Sequence, residues 1–359
     1  MGYNHVVFDG TGGGVILNLL AESCCTSGSA EIEQCSPVSR LLPEASLRKL
    51  VLDITSPLEG RINHSEVYCH SLAATSSTLI SEESRAPQEI FIFSADKINK
   101  LKQTFNYIYP WLQDACEIST NAPLPSYVSS NDVLTALLWA SIIKAGHSSR
   151  DSKQPQKGYD CVMAVNLRPF FKPRLPESYM GNAVTQLRIT VDPATLPPQG
   201  AGTPHPSWDM ESLSGLDIAS LLPIAKLAFR IRHKLSGFND HYVRSLTSFL
   251  KGHDDWNTMH LRPFDIVVTS WRHLQVYDLD FGPHLGYIDS FHDQWWGIPG
   301  GCVIMPAFAS RSKTTGTKSE YQQPPWDVRI TLDRETMANL KNDDLLCWAL
   351  EGEGSNAQR

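Results

Sequence analysis

The chain has 359 residues, 42% of them hydrophobic and 19% charged, the balance of a packed globular protein and not of a disordered one. Thirty-one Lys and Arg against 38 Asp and Glu give a net charge of −7 with neither sign gathered into a run, which argues against a non-specific nucleic-acid binder. No apolar stretch reaches the roughly 18 residues of a membrane helix, no basic leader is visible before His5, and eight cysteines without a Cys-x-x-Cys pair read as reduced thiols of a cytosolic protein.

At roughly 150 residues per domain the length suggests two domains. After Gly12-Gly13-Gly14, Val15 to Ala21 predicts a short buried helix that starts from a glycine turn. Residues 26–88 are rich in Ser, Thr, Pro and Glu and read as helix fragments followed by a long connection. Glu89 to Phe93 predicts a strand, after which Ser94 caps a helix over Ala95 to Tyr107 with Ile98, Leu101 and Phe105 on one face. A stronger helix follows Ser129-Ser130-Asn131-Asp132, where Val133, Leu134, Leu137, Leu138, Ser141 and Ile142 recur at helical spacing behind a cap donor. Tyr159 to Val165 predicts a buried strand ended by Asn166-Leu167-Arg168-Pro169. Residues 192–215 contain five prolines and predict a surface loop. Ser220 to Ser236 is an amphipathic helix, and Phe264 to Ser270 and Trp326 to Leu332 are strands, the second leading into a helix capped by Asp333. The irregular alternation of helices and strands points to an α/β or α+β architecture.

A His four residues before an Asp is a candidate base with its positioner, but the spacing occurs three times, as His5/Asp9, His147/Asp151 and His205/Asp209. Context separates them. His147 and His205 lie in polar and proline-rich stretches, whereas His5 and Asp9 are separated by Val6-Val7-Phe8 and followed by a glycine turn and a helix. That setting holds a histidine at a strand end with its ring open to a cleft. Gly10-Thr11-Gly12-Gly13-Gly14 is not a dinucleotide fingerprint, and no phosphate-binding loop or Gly-x-Ser-x-Gly nucleophile motif occurs. Asp280-Phe281-Gly282 also occurs in kinases, whose other motifs are missing here. His64, Cys69 and His70 are too irregularly spaced for metal ligands, and Trp295-Trp296 reads as packing.

The order of the motifs is more specific than any one of them. His5-x-x-x-Asp9-Gly10 is followed by Ser-Asn-Asp-Val-Leu-Thr-Ala-Leu-Leu-Trp at 130–139 and by Asn-Leu-Arg-Pro at 166–169 with Tyr-Met-Gly-Asn at 179–182. Thr-Ser-Trp at 269–271 and Asp-Phe-Gly at 280–282 complete the series. In that order the chain resembles the BAHD family of CoA-dependent acyltransferases, above all its fungal branch around the trichothecene O-acetyltransferases, from His5 to about Leu350.

The resemblance implies an α/β, two-domain chloramphenicol-acetyltransferase-like fold with an incomplete first domain. Residues 1–88 would be the remainder of the N-terminal domain plus the crossover, with 278–302 returning to it; 89–277 and 303–359 would form the C-terminal domain. The implied reaction moves an acyl group, acetyl before others, from acyl-CoA as co-substrate to a hydroxyl of a small secondary metabolite in fungal, mycotoxin-type biosynthesis. It further implies a cytosolic monomer with no bound cofactor, no metal, and no nucleic-acid or membrane partner. His5 and Asp9 would be the catalytic motif, His5 as general base and Asp9 turned away from the cleft onto an arginine, for which Arg168 is the match. Thr269 and Trp271 would stand near the oxyanion and acyl pocket, and Arg168, Asp280 and Gly282 would give structural support. Two departures stand out. His284 replaces the second glycine of the family's Asp-Phe-Gly-Trp-Gly, and only Met1 to Asn4 precede His5, where family chains carry a long N-terminal portion. The rival readings are a catalytically impaired remnant that folds or binds ligand without turnover, and a condensation-type enzyme on carrier-bound substrates. The latter usually has a doubled histidine, where Asn4 stands here.

Overall fold

The computed structural model describes residues 7–26, 44–54, 62–70, 86–112, 126–147, 158–191, 218–292, 299–308 and 323–352. In chain order they form helices α1 (Gly10–Thr26) and α2 (Glu44–Asp53), strands β1 (Tyr68–His70) and β2 (Gln88–Phe93), helices α3 (Ala95–Leu112) and α4 (Ser130–His147), and strands β3 (Tyr159–Asn166) and β4 (Val184–Val191). Helices α5 (Ile218–Ser236) and α6 (Asp240–Lys251) follow, then strands β5 (Met259–Leu261), β6 (Ile266–Ser270), β7 (Gly301–Ile304) and β8 (Trp326–Thr331), and helices α7 (Arg334–Leu340) and α8 (Asp344–Ala349).

Six strands make one mixed sheet in the order β2-β8-β7-β6-β3-β4. β3/β6 and β6/β7 are parallel, and the other neighbours are antiparallel. β1 and β5 form a separate antiparallel pair. α4 is apolar on all sides because it is enclosed: α3, α5, α7 and α8 pack around it, and every residue from Val133 to Trp139 is buried. The predicted face of α3 is in the core, with Ile98, Leu101 and Phe105 fully buried. Asp333 caps α7 by accepting from Thr336 N at 2.9 Å. No helix among the described residues is long and apolar enough to cross a membrane.

The structure departs from the sequence reading in identifiable places. α1 begins at Gly10, so the glycine run is helical rather than a turn, and Val15, Ile16 and Leu17 are only half-buried. β4 was not anticipated although Leu187, Ile189 and Val191 alternate with Gln186, Arg188 and Thr190; Thr185 is buried on the apolar face and Arg188 on the opposite one, on Asp160 at 2.8 Å and on the carbonyls of Arg262 and Pro263. β7 is four residues long, too short to carry a period, though all four are buried. α6 opens on Asn239, whose side chain accepts from Tyr242 N at 3.0 Å. The predicted loop at 192–215, with His205, and the Trp295-Trp296 pair lie outside the described residues.

Candidate active site

Phe8 makes an antiparallel bridge with Gly181, which sets the next residue at the start of α1. Asp9 Oδ1 accepts from Gly12 N at 2.9 Å and Asp9 O from Gly13 N at 2.8 Å, so Asp9 is the N-cap of the helix. The same carboxylate meets Arg168 in a two-pronged pair, Nη2 to Oδ1 at 2.9 Å and Nη1 to Oδ2 at 2.8 Å, and Oδ2 also accepts from Ala183 N at 2.9 Å. Both residues are buried, at 4% and 3% exposure. With two donors on each oxygen, the Asp9 carboxylate has no lone pair directed at a substrate. In this geometry it ties Arg168 and the 181–183 turn to the first turn of α1.

Arg168 stands just past the C-terminal end of β3. Its Nε and Nη2 donate to Tyr179 O, Nη2 also to Gly181 O at 2.7 Å, and Nη1 also to Asn166 Oδ1 at 3.3 Å. Its guanidinium lies 5.5 Å from the Tyr179 ring centroid. A buried ion pair is tolerable only when its remaining donors and acceptors are filled, as these are. The Asn-Leu-Arg-Pro and Tyr-Met-Gly-Asn motifs thus converge on Asp9.

β6 runs parallel to β3 and ends at the same edge of the sheet, carrying Thr269 and Ser270 into Trp271. Thr269 is half-buried and pairs with Val303 of β7; Trp271 N donates to Ile304 O at 2.8 Å. The Trp271 indole lies against the first turn of α1, where a Cβ on Gly10 would come within 2.7 Å of its Nε1, and edge-on to Phe291 at 6.2 Å. A Cβ on Gly12 would lie 1.9 Å from Met180 O, so only glycine allows α1 to sit this close. The residue after the tryptophan, Arg272, turns away: it donates to the carbonyls of Pro324 and Pro325 and stacks 3.8 Å from the Trp326 ring centroid. Desolvation lowers its pKa to about 10, still charged at neutral pH.

The Asp-Phe-Gly segment closes the other end of α1. Asp280 Oδ1 accepts from Gly282 N at 2.9 Å, Phe281 N donates to Gly286 O, and Gly286 N to Gly282 O. Gly282 has φ +84° and sits against the backbone of Cys24 and Cys25, and Cys25 Sγ donates to Asp280 O at 3.2 Å. His284 is exposed on this turn.

A family model described as the transferase family matches residues 1–194. Fumigaclavine B O-acetyltransferase easN of Aspergillus fumigatus is 34% identical over 99% of this chain and 70% of its own length. Communesin N16 acyltransferase cnsK of Penicillium expansum is 33% identical over 98% and 68%. The chain belongs to the BAHD transferase family. Among solved structures, F. sporotrichioides TRI101 complexed with coenzyme A and T-2 superposes with a TM-score of 0.62 at 17% identity, covering 96% of this chain and 64% of that one. This likeness fixes the fold of the BAHD transferase chain, the α/β chloramphenicol-acetyltransferase type, and the chain spans about two thirds of the length of these relatives.

Of the residues singled out from the sequence of this BAHD transferase, Asp9, Arg168 and Trp271 come together at one sheet edge. Thr269 lies two residues before Trp271 on the same strand, and Asp280 and Gly282 brace the far end of α1. His5 lies outside the described residues. His64 is committed elsewhere, buried with Nε2 3.1 Å from Ser245 Oγ, and no cluster of three or more metal-ligating side chains occurs among the described residues. The sequence reading missed His273, whose Nε2 lies 3.3 Å from Thr11 Oγ1. The available signal was its place two residues beyond Thr-Ser-Trp.

Proposed function

We propose that this BAHD transferase moves an acetyl group from acetyl-CoA to a hydroxyl of a small secondary metabolite, with His5 as general base. The His5 imidazole takes the hydroxyl proton as the oxygen attacks the thioester carbonyl; the C–S bond then breaks and CoA leaves as the thiol. Thr269 and Trp271 serve the oxygen on which negative charge develops. The observation that carries this reading is the saturated Asp9–Arg168 pair at the C-terminal ends of β3 and β6, with Trp271 against Gly10. Asp9 follows His5 by four residues in the sequence, and its filled carboxylate is no competitor for the proton. The relatives' names support an acyl group passed to a small molecule, to oxygen in the fumigaclavine B O-acetyltransferase. The solved relative's complex with coenzyme A supports the donor.

The same proposal divides the chain into a first unit of residues 1–88 with 278–302 and a second of 89–277 with 303–359, acting as a cytosolic monomer. The docking of the Asp280–Gly282 turn on Cys24 and Cys25 supports the return of the 278–302 segment to the first unit.

The test is CoA-thiol release from acetyl-CoA with a panel of hydroxylated acceptors headed by fumigaclavine B, coupled to mass detection of the acetylated product. His5→Ala is expected to lower turnover by roughly 10²–10⁴-fold at an unchanged thermal midpoint. Turnover by His5→Ala at the wild-type rate would sink the reading.

A further inference from the structure

The contact between Thr11 and His273 has no part in the chemistry above. Thr11 is in the first turn of α1, beside the Gly10 that touches Trp271, and His273 follows Trp271 by two residues. Both therefore belong to the edge where Asp9, Arg168 and Trp271 meet. Their state differs from that of the neighbouring ion pair. Asp9 and Arg168 are buried and saturated, whereas His273 is exposed, and Thr11 is its one hydrogen-bond partner among the described residues.

The hydrogen-bond inventory of the two side chains is informative. Desolvation holds the His273 pKa below its usual 6.5, with Asp9 pulling it up and Arg168 pushing it down, so the ring is neutral at neutral pH. Its chain neighbour Arg272 is occupied by Pro324 and Pro325. A neutral imidazole and a hydroxyl bonded to each other spend one donor and one acceptor. In either tautomer one N–H or O–H and at least one lone pair remain for a third group. A hydroxyl, or an amine in its neutral form, both donates and accepts and so complements that remainder.

We propose that Thr11 and His273 form an acceptor-recognition point, binding a second hydroxyl or amine of the acceptor away from the hydroxyl that is acylated. The proposal rests on the acyltransfer reading for the term acceptor, and names a substrate class: small molecules that carry two polar groups. The tautomer sets which of the two residues donates and which accepts. The recognised group stays unmodified.

The experiment measures acceptor binding directly by calorimetry on the full chain, with a polycyclic diol or amino alcohol and its twin lacking the second group. His273→Phe is expected to raise the dissociation constant of the diol by roughly 2–10-fold, the net effect of removing one hydrogen-bond partner at an exposed site. The acetyl-CoA constant should move less than twofold, the two twins should become equal, and His273→Gln should recover part of the loss. Thr11→Val should act in the same direction, and the double variant should lose little more than His273→Phe, since the two act as one unit. Thr11→Val also keeps the test open if His273→Phe does not fold. A diol constant unchanged by either variant overturns the proposal, as do twins bound equally by the wild type or an equal loss of acetyl-CoA affinity. A wild type that binds the diol without acetylating it would refute the acyltransfer reading while the binding constants still decide recognition.

Discussion

Two buried aspartates in this transferase are paired with arginines, and the pairs are finished differently. Asp9 spreads four donors over both oxygens and faces a guanidinium whose side chain is 4% exposed. Asp132 loads one oxygen: Oδ2 accepts from Ser129 N, Ser129 Oγ and two nitrogens of Arg232, while Oδ1 is buried without a partner among the described residues. Arg232 keeps 21% of its side chain in water and lies 5.3 Å from the Tyr127 ring centroid. The first pair joins the start of α1, the end of β3 and the 179–183 turn. The second fastens the opening of α4 to α5, two helices that already share a core. A sealed, saturated ion pair thus sits where chain position must be held, and an incompletely satisfied one where apolar packing carries the load.

The largest expected effect tests that contrast directly. Asp9→Ala strands Arg168 without water and should cost about 3–5 kcal/mol in equilibrium urea unfolding. Replacing both partners by apolar residues of similar volume should recover part of that loss. Asp132→Ala should cost less, about 1–3 kcal/mol, because Arg232 can hydrate once its partner is gone. Equal losses from the two alanine variants would break the comparison.

A third buried polar centre, uncharged, sharpens it at the small end. His64 is 2% exposed, bonded to Ser245 Oγ and flanked by Tyr242 and Phe249 at 5.2 and 5.4 Å. Burial holds its pKa below 6.5. Between that lowered value and 6.5 the unfolded chain binds the extra proton, so stability falls as pH is lowered through this window, by at most about 1.4 kcal/mol per pH unit. His64→Gln should flatten part of the slope seen by thermal unfolding between pH 7 and 5, leaving the contribution of His273, which has the same sign. A slope untouched by His64→Gln would mean that the acid sensitivity arises elsewhere.

Much of the frame was legible without coordinates. The strand at Gln88–Phe93, the helix behind Ser129–Asp132, the strand at Tyr159–Asn166 and the cap at Asp333 all announce themselves within a few residues. Asp9 and Arg168 were matched through motifs alone, and they form the expected pair. β4 was legible in the alternation of Leu187, Ile189 and Val191 with polar residues but was passed over, whereas β7 hid because four residues hold no period. The helical state of Gly10 to Gly14 hid as well, since glycine-rich runs ordinarily form turns and the reason for helix lies in the surfaces of Trp271, Met180 and Leu274. His273 was invisible as a site residue because its partner Thr11 is 262 residues away.

By itself, the sequence determined what depends on near neighbours: helix and strand periods, caps, and the ordered motifs that mark a BAHD transferase. Only the tertiary structure decided which of those motifs touch. Strand order β2-β8-β7-β6-β3-β4 brings the ends of β3 and β6 to one edge, and the Asp9 carboxylate then finds donors 159 and 174 residues on. Periods and caps are set by contacts within about four residues. The partners of a buried charge are set by how distant strands pair, which no local pattern encodes.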